Sequence, residues 1–302
     1  MNVLFLSGGR RVTLAEMFMD RGFKVLAYES DVKCPLSKHC EIIEATTKYT
    51  DGSIYGQILS IMKEKKCELV IPLSDEAAYM AASYGLSVCC SMNGAFACYD
   101  KSELERKMKG WLSQYYPWPT KSKYPLIYKP IHGYGSKGII KENSWWFDES
   151  KHLLRNPQTH IAQRFINGTE YSVDAYFNTA YSFLGASVRT RDRVGDGEVI
   201  NSTIVAHKRL REAACDIGKH LSLRGPVCMQ FIESSEDYSL NLLEINGRFG
   251  GGATLSIHAG FDMIDMIKKE YILKQTEKVA HQNYEAKIGT QLKRVYKDYY
   301  FQ

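Results

Sequence analysis

The chain has 302 residues, 44% of them hydrophobic and 24% charged. This is an ordinary globular composition that excludes disordered and fibrous classes and, at roughly 100–200 residues per domain, leaves room for two or three domains. Lys plus Arg number 39 against 34 for Asp plus Glu, a formal net charge of +5; the basic residues are scattered, which suits a phosphate-bearing small ligand better than a nucleic-acid tract. No apolar run approaches the roughly 18 residues of a membrane helix, and the opening Met1-Asn2-Val3-Leu4-Phe5-Leu6 is too short for a signal peptide. A cytoplasmic protein with neither nucleic-acid nor membrane partners is therefore expected. The eight cysteines show no C-x-x-C pair and no zinc-ligand spacing, and read as reduced, mostly buried thiols.

Short apolar runs alternate with helical periodicity over the first 90 residues: Val3 to Leu6, Val25 to Tyr28, the helical face Ile54/Ile58/Ile61/Met62, and Leu69 to Ile71. This pattern predicts a small parallel α/β unit. Its first turn, Ser7-Gly8-Gly9-Arg10-Arg11, lies between a strand and a helix; it either holds an anion on its amides and arginines or is a tight turn with solvated arginines. A charged helix is predicted over Ser102 to Trp111, with a domain boundary near 93–100. Beyond it strands alternate with two helices, near His207 to Leu221 and near Met263 to Gln275.

Gly133-Tyr134-Gly135-Ser136-Lys137-Gly138 matches G-x-G-x-x-G, but the dinucleotide fingerprint requires a helix after the last glycine. Ile139-Ile140-Lys141 instead reads as a strand, so the loop joins two antiparallel strands and can act as a flap over phosphates. Lys129, on the strand leading in, would add an ammonium beside them. No H-R-D or D-F-G follows, which sets a protein kinase aside.

Pro226 to Ile232 and Leu240 to Asn246 flank a turn. If it centres on Asp237, Gln230 lies opposite Glu244, and strand alternation places Glu244 and Asn246 on the same face. A carboxylate and amides set into apolar strands need compensation, and oxygen-only donors suit Mg²⁺ completed by phosphates. The other reading is the exposed face of an edge hairpin. Arg248, two positions on in continued alternation, points at the same spot, and Gly250-Gly251-Gly252 allow close backbone approach. Arg189, Arg191 and Arg193 alternate along a predicted strand, either facing one cleft or studding a solvated edge.

These pieces, in this order, resemble the ATP-grasp superfamily, specifically the carbamoyl-phosphate-synthase-like carboxylate-amine ligases. The resemblance covers the Ser7–Arg11 turn, Asp100-Lys101, Lys129-Pro130 with the glycine loop, Gln163 to Glu170, Arg189-Thr190-Arg191, Gln230, and Glu244-Ile245-Asn246-Gly247-Arg248. It implies an N-terminal parallel α/β (pre-ATP-grasp) domain over 1–95, a small lobe with a glycine-rich lid over 96–165, and a larger antiparallel-sheet lobe over 166–302. It also implies ATP and Mg²⁺ as cofactors, two ions with Mn²⁺ able to substitute. Lys101, Lys129, Gly133, Gly135, Ser136 and Gly138 would contact phosphates; Gln163, Phe165 and Ile166 would read adenine; Glu170 would hold the ribose. Gln230, Glu244 and Asn246 would bind the metal, and Arg248, Arg189 and Arg191 would steady the carboxylate and its phosphorylated intermediate.

The reaction so implied phosphorylates a carboxylate and couples it to an amine, releasing ADP and phosphate, with amino acids as candidate substrates and a homodimer as a candidate assembly. The alternatives are a small-molecule kinase and a non-catalytic nucleotide-binding module. No Ser, Cys or His nucleophile is needed, and His132, His207 and His258 read as structural or surface residues. Two departures from the family pattern stand out: about eight residues separate Pro119 from Ile127, so the usual helix at the start of the lid is absent or reduced, and Gly247 stands where the family usually has Pro.

Overall fold

The computed structural model describes residues 1–86, 91–110, 112–118, 125–133, 137–143, 156–195, 197–281, 284–295 and 297–301. The N-terminal unit is a four-stranded parallel sheet of β1 (Asn2–Leu6), β2 (Lys24–Glu29), β3 (Glu41–Glu44) and β4 (Cys67–Pro72), ordered β3-β2-β1-β4. Its central strands are buried on both faces, which is why they read as unbroken apolar runs rather than alternating ones. Helix α1 (Val12–Asp20) buries Leu14, Ala15 and Phe18 on one side, and α2 (Ile54–Glu64) buries Ile54, Ile58 and Ile61 on the other. Helix α3 (Asp75–Ser83) begins directly after β4 under a Ser74 cap that accepts from the Ala77 amide at 3.2 Å.

Helix α4 (Met92–Tyr99) leads into α5 (Lys101–Lys107), capped by Asp100, whose Oδ1 accepts from the amides of Ser102 and Glu103. The helix ends at Lys107, four residues short of the predicted Trp111. A three-stranded sheet follows, β6-β5-β7, from β5 (Leu126–Pro130), β6 (Ile140–Glu142) and β7 (His160–Arg164). The strand expected after the glycine loop is β6.

The large lobe is an antiparallel sheet ordered β10-β11-β9-β8-β12-β13, from β8 (Gly168–Phe177), β9 (Phe183–Thr190), β10 (Arg193–Gly195), β11 (Glu198–Val205), β12 (Gly225–Ser234) and β13 (Leu240–Asn246), with β14 (Gln291–Lys293) on β11. Its two faces differ in chemistry. Val173, Ala175, Val188, Val227, Met229 and Ile245 face α6 (Lys208–His220), whose Leu210, Ala213, Ala214 and Ile217 complete that core. Ser172, Asp174, Arg189, Cys228, Gln230, Glu244 and Asn246 occupy the alternate positions on the opposite face.

The polar face is roofed by α7 (Ala253–His258), α8 (Met263–Ile267) and the N-terminal unit, because Phe5, Phe18 and Phe23 share one apolar cluster with Phe249, Ile257, Phe261 and Ile264. Phe18 meets Phe5 and Phe249 edge-on at 5.1 and 6.0 Å. Arg21 clamps Asp262 with Nε and Nη2 at 2.8 and 2.7 Å. The helix expected over Met263 to Gln275 changes pitch after Ile267 into a π turn over Lys268–Ile272, which turns Glu270 inward to accept from Tyr176 Oη at 2.7 Å and Thr179 N at 3.1 Å.

Candidate functional site

The β12–β13 hairpin turns through Ser234 to Ser239, where Asp237 Oδ1 accepts from the Ser239 amide and hydroxyl. The register that results pairs Gln230 with Glu244, and Cys228 with Asn246. Further rows continue across the sheet, Gln230 beside Ser172 and Ser172 beside Arg189. Gln230 Nε2 donates to Glu244 Oε1 at 2.6 Å and Asn246 Nδ2 to the same oxygen at 3.3 Å. Gln230, Glu244 and Asn246 thus converge as the strand pattern predicts.

One residue breaks the ladder. Phe231 pairs with Leu242 while Gln230 pairs with Glu244, leaving Leu243 as a bulge. Its carbonyl accepts from Lys129 Nζ at 3.3 Å, and this bond joins the small sheet to the large one. Lys129 is 7% exposed. Burial pulls its ammonium down to about 8, with Lys101 adding to the fall and the carboxylates of Glu244 and Glu170 opposing it.

The small sheet presents a second group on the same face as Lys129: β5 and β7 pair Ile127 with Gln163 and Lys129 with Ile161. Gln163 is 2% exposed and lies beside the Tyr116 hydroxyl, yet among the described residues neither its amide atoms nor the Tyr116 hydroxyl nor Trp118 Nε1 has a hydrogen-bond partner of good geometry. An amide buried without partners is costly unless a ligand supplies them. Phe165 carries Lys141 Nζ over its ring at 3.5 Å, and Ile166 is buried beyond it. Lys101 Nζ donates to the carbonyls of Ile131 and Gly133 at 3.4 and 3.2 Å, at the near end of the glycine loop. Gly138 closes that loop with a left-handed φ of 71°. Gly135 and Ser136 lie outside the described residues, as do residues 119–124 of the shortened lid.

The three arginines sit in different settings. β9 ends at Thr190, and Arg191 and Asp192 form the link to β10, so the alternation expected to run through Arg189, Arg191 and Arg193 is interrupted. Arg189 is 1% exposed and donates through Nε to Asp174 Oδ2 at 2.8 Å, an oxygen that also accepts from Ser256 Oγ at 2.7 Å. Burial is the largest influence and opposes its charge, but Asp174 and Cys228 together hold its pKa above the ordinary value. Among the described residues its Nη1 is buried without a partner, and a Cβ on Gly252 would lie 2.6 Å from it, so glycine allows the loop to close there. Arg191, in the link after β9, still reaches the polar row, its Nη1 donating to Ser172 Oγ at 3.4 Å. It donates through Nε to Glu170 Oε2 at 3.1 Å, and these two, with Thr169, Thr190 and Asp192, line a cavity of about 520 Å³. Arg193 is exposed on β10.

β13 stops at Asn246, so Arg248 lies in the bend beyond it rather than in continued strand alternation. It still reaches the cluster, donating to Asn246 Oδ1 at 2.9 Å. Its main partner is one the sequence did not signal: Asp75, the first residue of α3, which takes Nε and Nη2 at 2.8 and 3.0 Å across 173 positions of chain. Ser74-Asp75-Glu76 signals a helix start but not what that start faces. Burial is the largest influence and works against the Arg248 charge, but Asp75, Cys228 and Glu244 together hold the pKa above the ordinary value.

At the N-terminal turn the amide of Gly9 donates to Glu29 Oε1 at 2.7 Å, so the chain supplies its own carboxylate to the turn expected to hold an anion. Burial pushes the Glu29 carboxyl up, against the pull of the Gly9 and Gly8 amides. Among the described residues no group of three His, Cys, Asp or Glu forms a metal cluster, and no helix is long and apolar enough to cross a membrane. His207 caps α6 by accepting from the Leu210 amide and also contacts Glu233, whereas His132 lies 3.1 Å from Asp100.

Residues 156–294 match a family described as ATP-grasp in the biosynthetic pathway with Ter operon, and residues 3–84 match the PylC-like N-terminal domain. No curated protein matches the chain. Among solved structures it is similar to phosphoribosylglycinamide synthetase from Anaerococcus prevotii (15% identity, 94% of this chain and 78% of that one, TM-score 0.68). It is similar also to N5-carboxyaminoimidazole synthetase from Staphylococcus aureus (16%, 96% and 79%, 0.67) and to L-amino acid ligase from Bacillus licheniformis (16%, 91% and 76%, 0.66). At these identities the likeness is one of fold. A parallel sheet leads into a small flap sheet and a large antiparallel sheet, and both family models match in that order, so the chain has the ATP-grasp fold, with a match to the PylC-like N-terminal domain ahead of the ATP-grasp region.

Proposed function

We propose that this protein is an ADP-forming ligase that phosphorylates a carboxylate with ATP and joins it to an amine. The observation that carries the reading is the bond between the two sheets: a buried Lys129 ammonium reaching the Leu243 bulge beside the Gln230–Glu244–Asn246 cluster. An amine held there with its pKa near 8 is short of negative charge, and a nucleotide phosphate supplies that charge. The unpartnered Gln163 amide, on the same face of the small sheet, supports an adenine-reading role. Glu170, at the mouth of the 520 Å³ cavity, supports a ribose-holding one. That the structural neighbours include an amino acid ligase, two synthetases and a carboxylase supports the reaction class.

Phosphoryl transfer is served by positioning and charge neutralisation rather than by a protein nucleophile. Lys101 and Lys129 neutralise the phosphates from the flap side, with Gly133 and Gly138 at the two ends of the glycine loop. The donor set for a cation is one carboxylate and two amides, all oxygen ligands on one face, which fits Mg²⁺ held jointly with phosphate rather than a free-standing metal site. When bound, the ion supplies charge neutralisation between the terminal phosphates. Arg248, fixed by Asp75 and Asn246, orients the acceptor side of the cluster. Arg189, sealed under Gly252, sets the position of the sheet residues around it rather than touching substrate. Arg191 holds Glu170 at the cavity wall.

The test is ADP release with Mg²⁺ against amino acids offered in pairs, with mass spectrometry of the products and Glu244→Ala alongside. A dehydrated conjugate that disappears in Glu244→Ala supports the ligase. A phosphorylated acid without conjugation would make the protein a kinase, and nucleotide binding without turnover across the panel would reduce it to a binding module.

A further inference from the structure

Three arginines meet around Gly251, and they are not equivalent. Arg248 directs Nε and Nη2 to Asp75, Nη2 to Asn246 and Nη1 to the Phe249 carbonyl. Arg294, just after β14, pairs through Nη1 with Glu198 and donates from Nη2 to the Gly251 carbonyl at 2.7 Å. Arg11, from the N-terminal turn, differs from both. Its side chain is 18% exposed, and among the described residues its guanidinium makes no hydrogen bond, only a 4.0 Å approach of Nη1 to Glu198 Oε1. The fit around it is nonetheless close, for a Cβ on Gly251 would lie 2.9 Å from Nη1.

The carboxylates in reach are already engaged. Asp75 and Glu244 serve Arg248 and Glu198 serves Arg294, which leaves Arg11 only its long approach to Glu198. Burial drives the Arg11 pKa down to about 10, Arg248 and Arg294 push it the same way, and Glu198 restores part of the loss. A cation so placed is stabilised by an anion that arrives from outside. The turn that carries it cannot supply its own, because Glu29 is taken by the Gly9 amide. Arg11 also stands beside Arg248, which reaches Asn246 of the proposed phosphoryl-transfer cluster.

Building on the ligase reading, we infer that Arg11 binds the carboxylate of the acid substrate, so that the N-terminal unit supplies substrate recognition while the large sheet supplies the chemistry. Arg294 is then a positioning residue that holds Glu198 and the Gly251 loop against Arg11.

The probes are the proteinogenic L-amino acids and, for each, its carboxamide, added to the full chain with Mg²⁺ and a non-hydrolysable ATP analogue; dissociation constants are read by calorimetry. At least one acid is expected to bind more tightly than its amide. Arg11→Gln should weaken that acid about tenfold or more while leaving the affinity for the ATP analogue unchanged, and Arg11→Lys should fall between. Equal binding of acid and amide throughout the panel, or wild-type affinity for the acid in Arg11→Gln, overturns the inference. Nucleotide affinity in the same samples keeps the two readings apart. A wild-type chain that binds no ATP analogue sinks the ligase reading, whereas retained nucleotide binding with an indifferent Arg11→Gln sinks the role of Arg11 alone.

Discussion

Arg189–Asp174 and Arg248–Asp75 are the same chemical pair set in two surroundings. The first joins diagonal neighbours on adjacent strands, both side chains 1% exposed, under a roof of α7 and Gly252. The second spans two units of the fold, with side chains 11% and 19% exposed, and connects onward to Asn246. A pair sealed from water is strong only while both members remain, whereas a pair at a cleft wall can exchange partners when a ligand arrives. The first therefore holds the sheet together, and the second ties the N-terminal unit to the site.

The sharpest way to break this contrast is Asp174→Ala. Leaving Arg189 charged and alone should cost about 3–5 kcal/mol of stability in denaturant unfolding; a loss below about 1 kcal/mol would show that the pair is not a structural lock. Lys129→Met should act in the opposite direction, raising the stability of the nucleotide-free chain by about 1–3 kcal/mol while removing nucleotide binding, because a depressed lysine pKa reports a destabilised buried charge.

The sign of the pH effect follows from the same residue. Between pH 8 and the ordinary lysine value near 10.5 the unfolded chain binds more protons at this position than the folded one, so its contribution to stability rises with pH across that window. Nucleotide affinity runs the other way, falling as pH rises through about 8, where the ammonium loses its proton; equilibrium titrations at pH 7 and pH 9 check this. A flat profile in the wild type, or an equally steep one in Lys129→Met, would detach the effect from this lysine.

Asp75→Asn keeps the shape of the cleft-wall pair but removes its charge. About 1–2 kcal/mol of stability should be lost, less than for Asp174→Ala, and the KM for the acid should change more than the KM for ATP. An equal or larger loss of stability would erase the distinction between the two pairs. The smallest effect is expected at Arg191→Gln, where Glu170 is 46% exposed. Stability should change by less than about 1 kcal/mol, and any effect on KM should appear for ATP.

Much of the fold and part of the site were legible in the sequence. The unbroken apolar runs at Val3 to Leu6 and Val25 to Tyr28 announced strands buried on both faces, and those are β1 and β2. A turn centred on Asp237 predicted Gln230 opposite Glu244, and that pair forms, but by a different route: near the turn Phe231 pairs with Leu242, a register centred between Glu236 and Asp237, and the Leu243 bulge then brings Glu244 to Gln230. The Leu243 bulge carries no comparable signal, since one extra residue in a ladder leaves composition and periodicity almost unchanged. Without the bulge, nothing foretold that a main-chain carbonyl would meet Lys129.

The arginines show the same division. Their spacing suggested one shared face, and Arg189 and Arg191 do both border Ser172, but each side chain found a different carboxylate: Asp174 for Arg189, Glu170 for Arg191, Asp75 for Arg248. An ion pair depends on which groups tertiary packing brings within reach, and periodicity does not encode the distance between residues 75 and 248.

Local rules therefore settled what each segment is: apolar runs as strands, Asp100 as a cap, Asp237 as a turn, the glycine loop as a link between strands. Those choices depend on backbone sterics, hydrogen bonding and side-chain alternation within a few residues. Tertiary structure decided what each polar group meets. Packing Phe5 and Phe18 against Phe249 and Phe261 draws the N-terminal unit onto the polar face of the large sheet, and that apolar contact is what brings Arg11 and Asp75 beside Arg248.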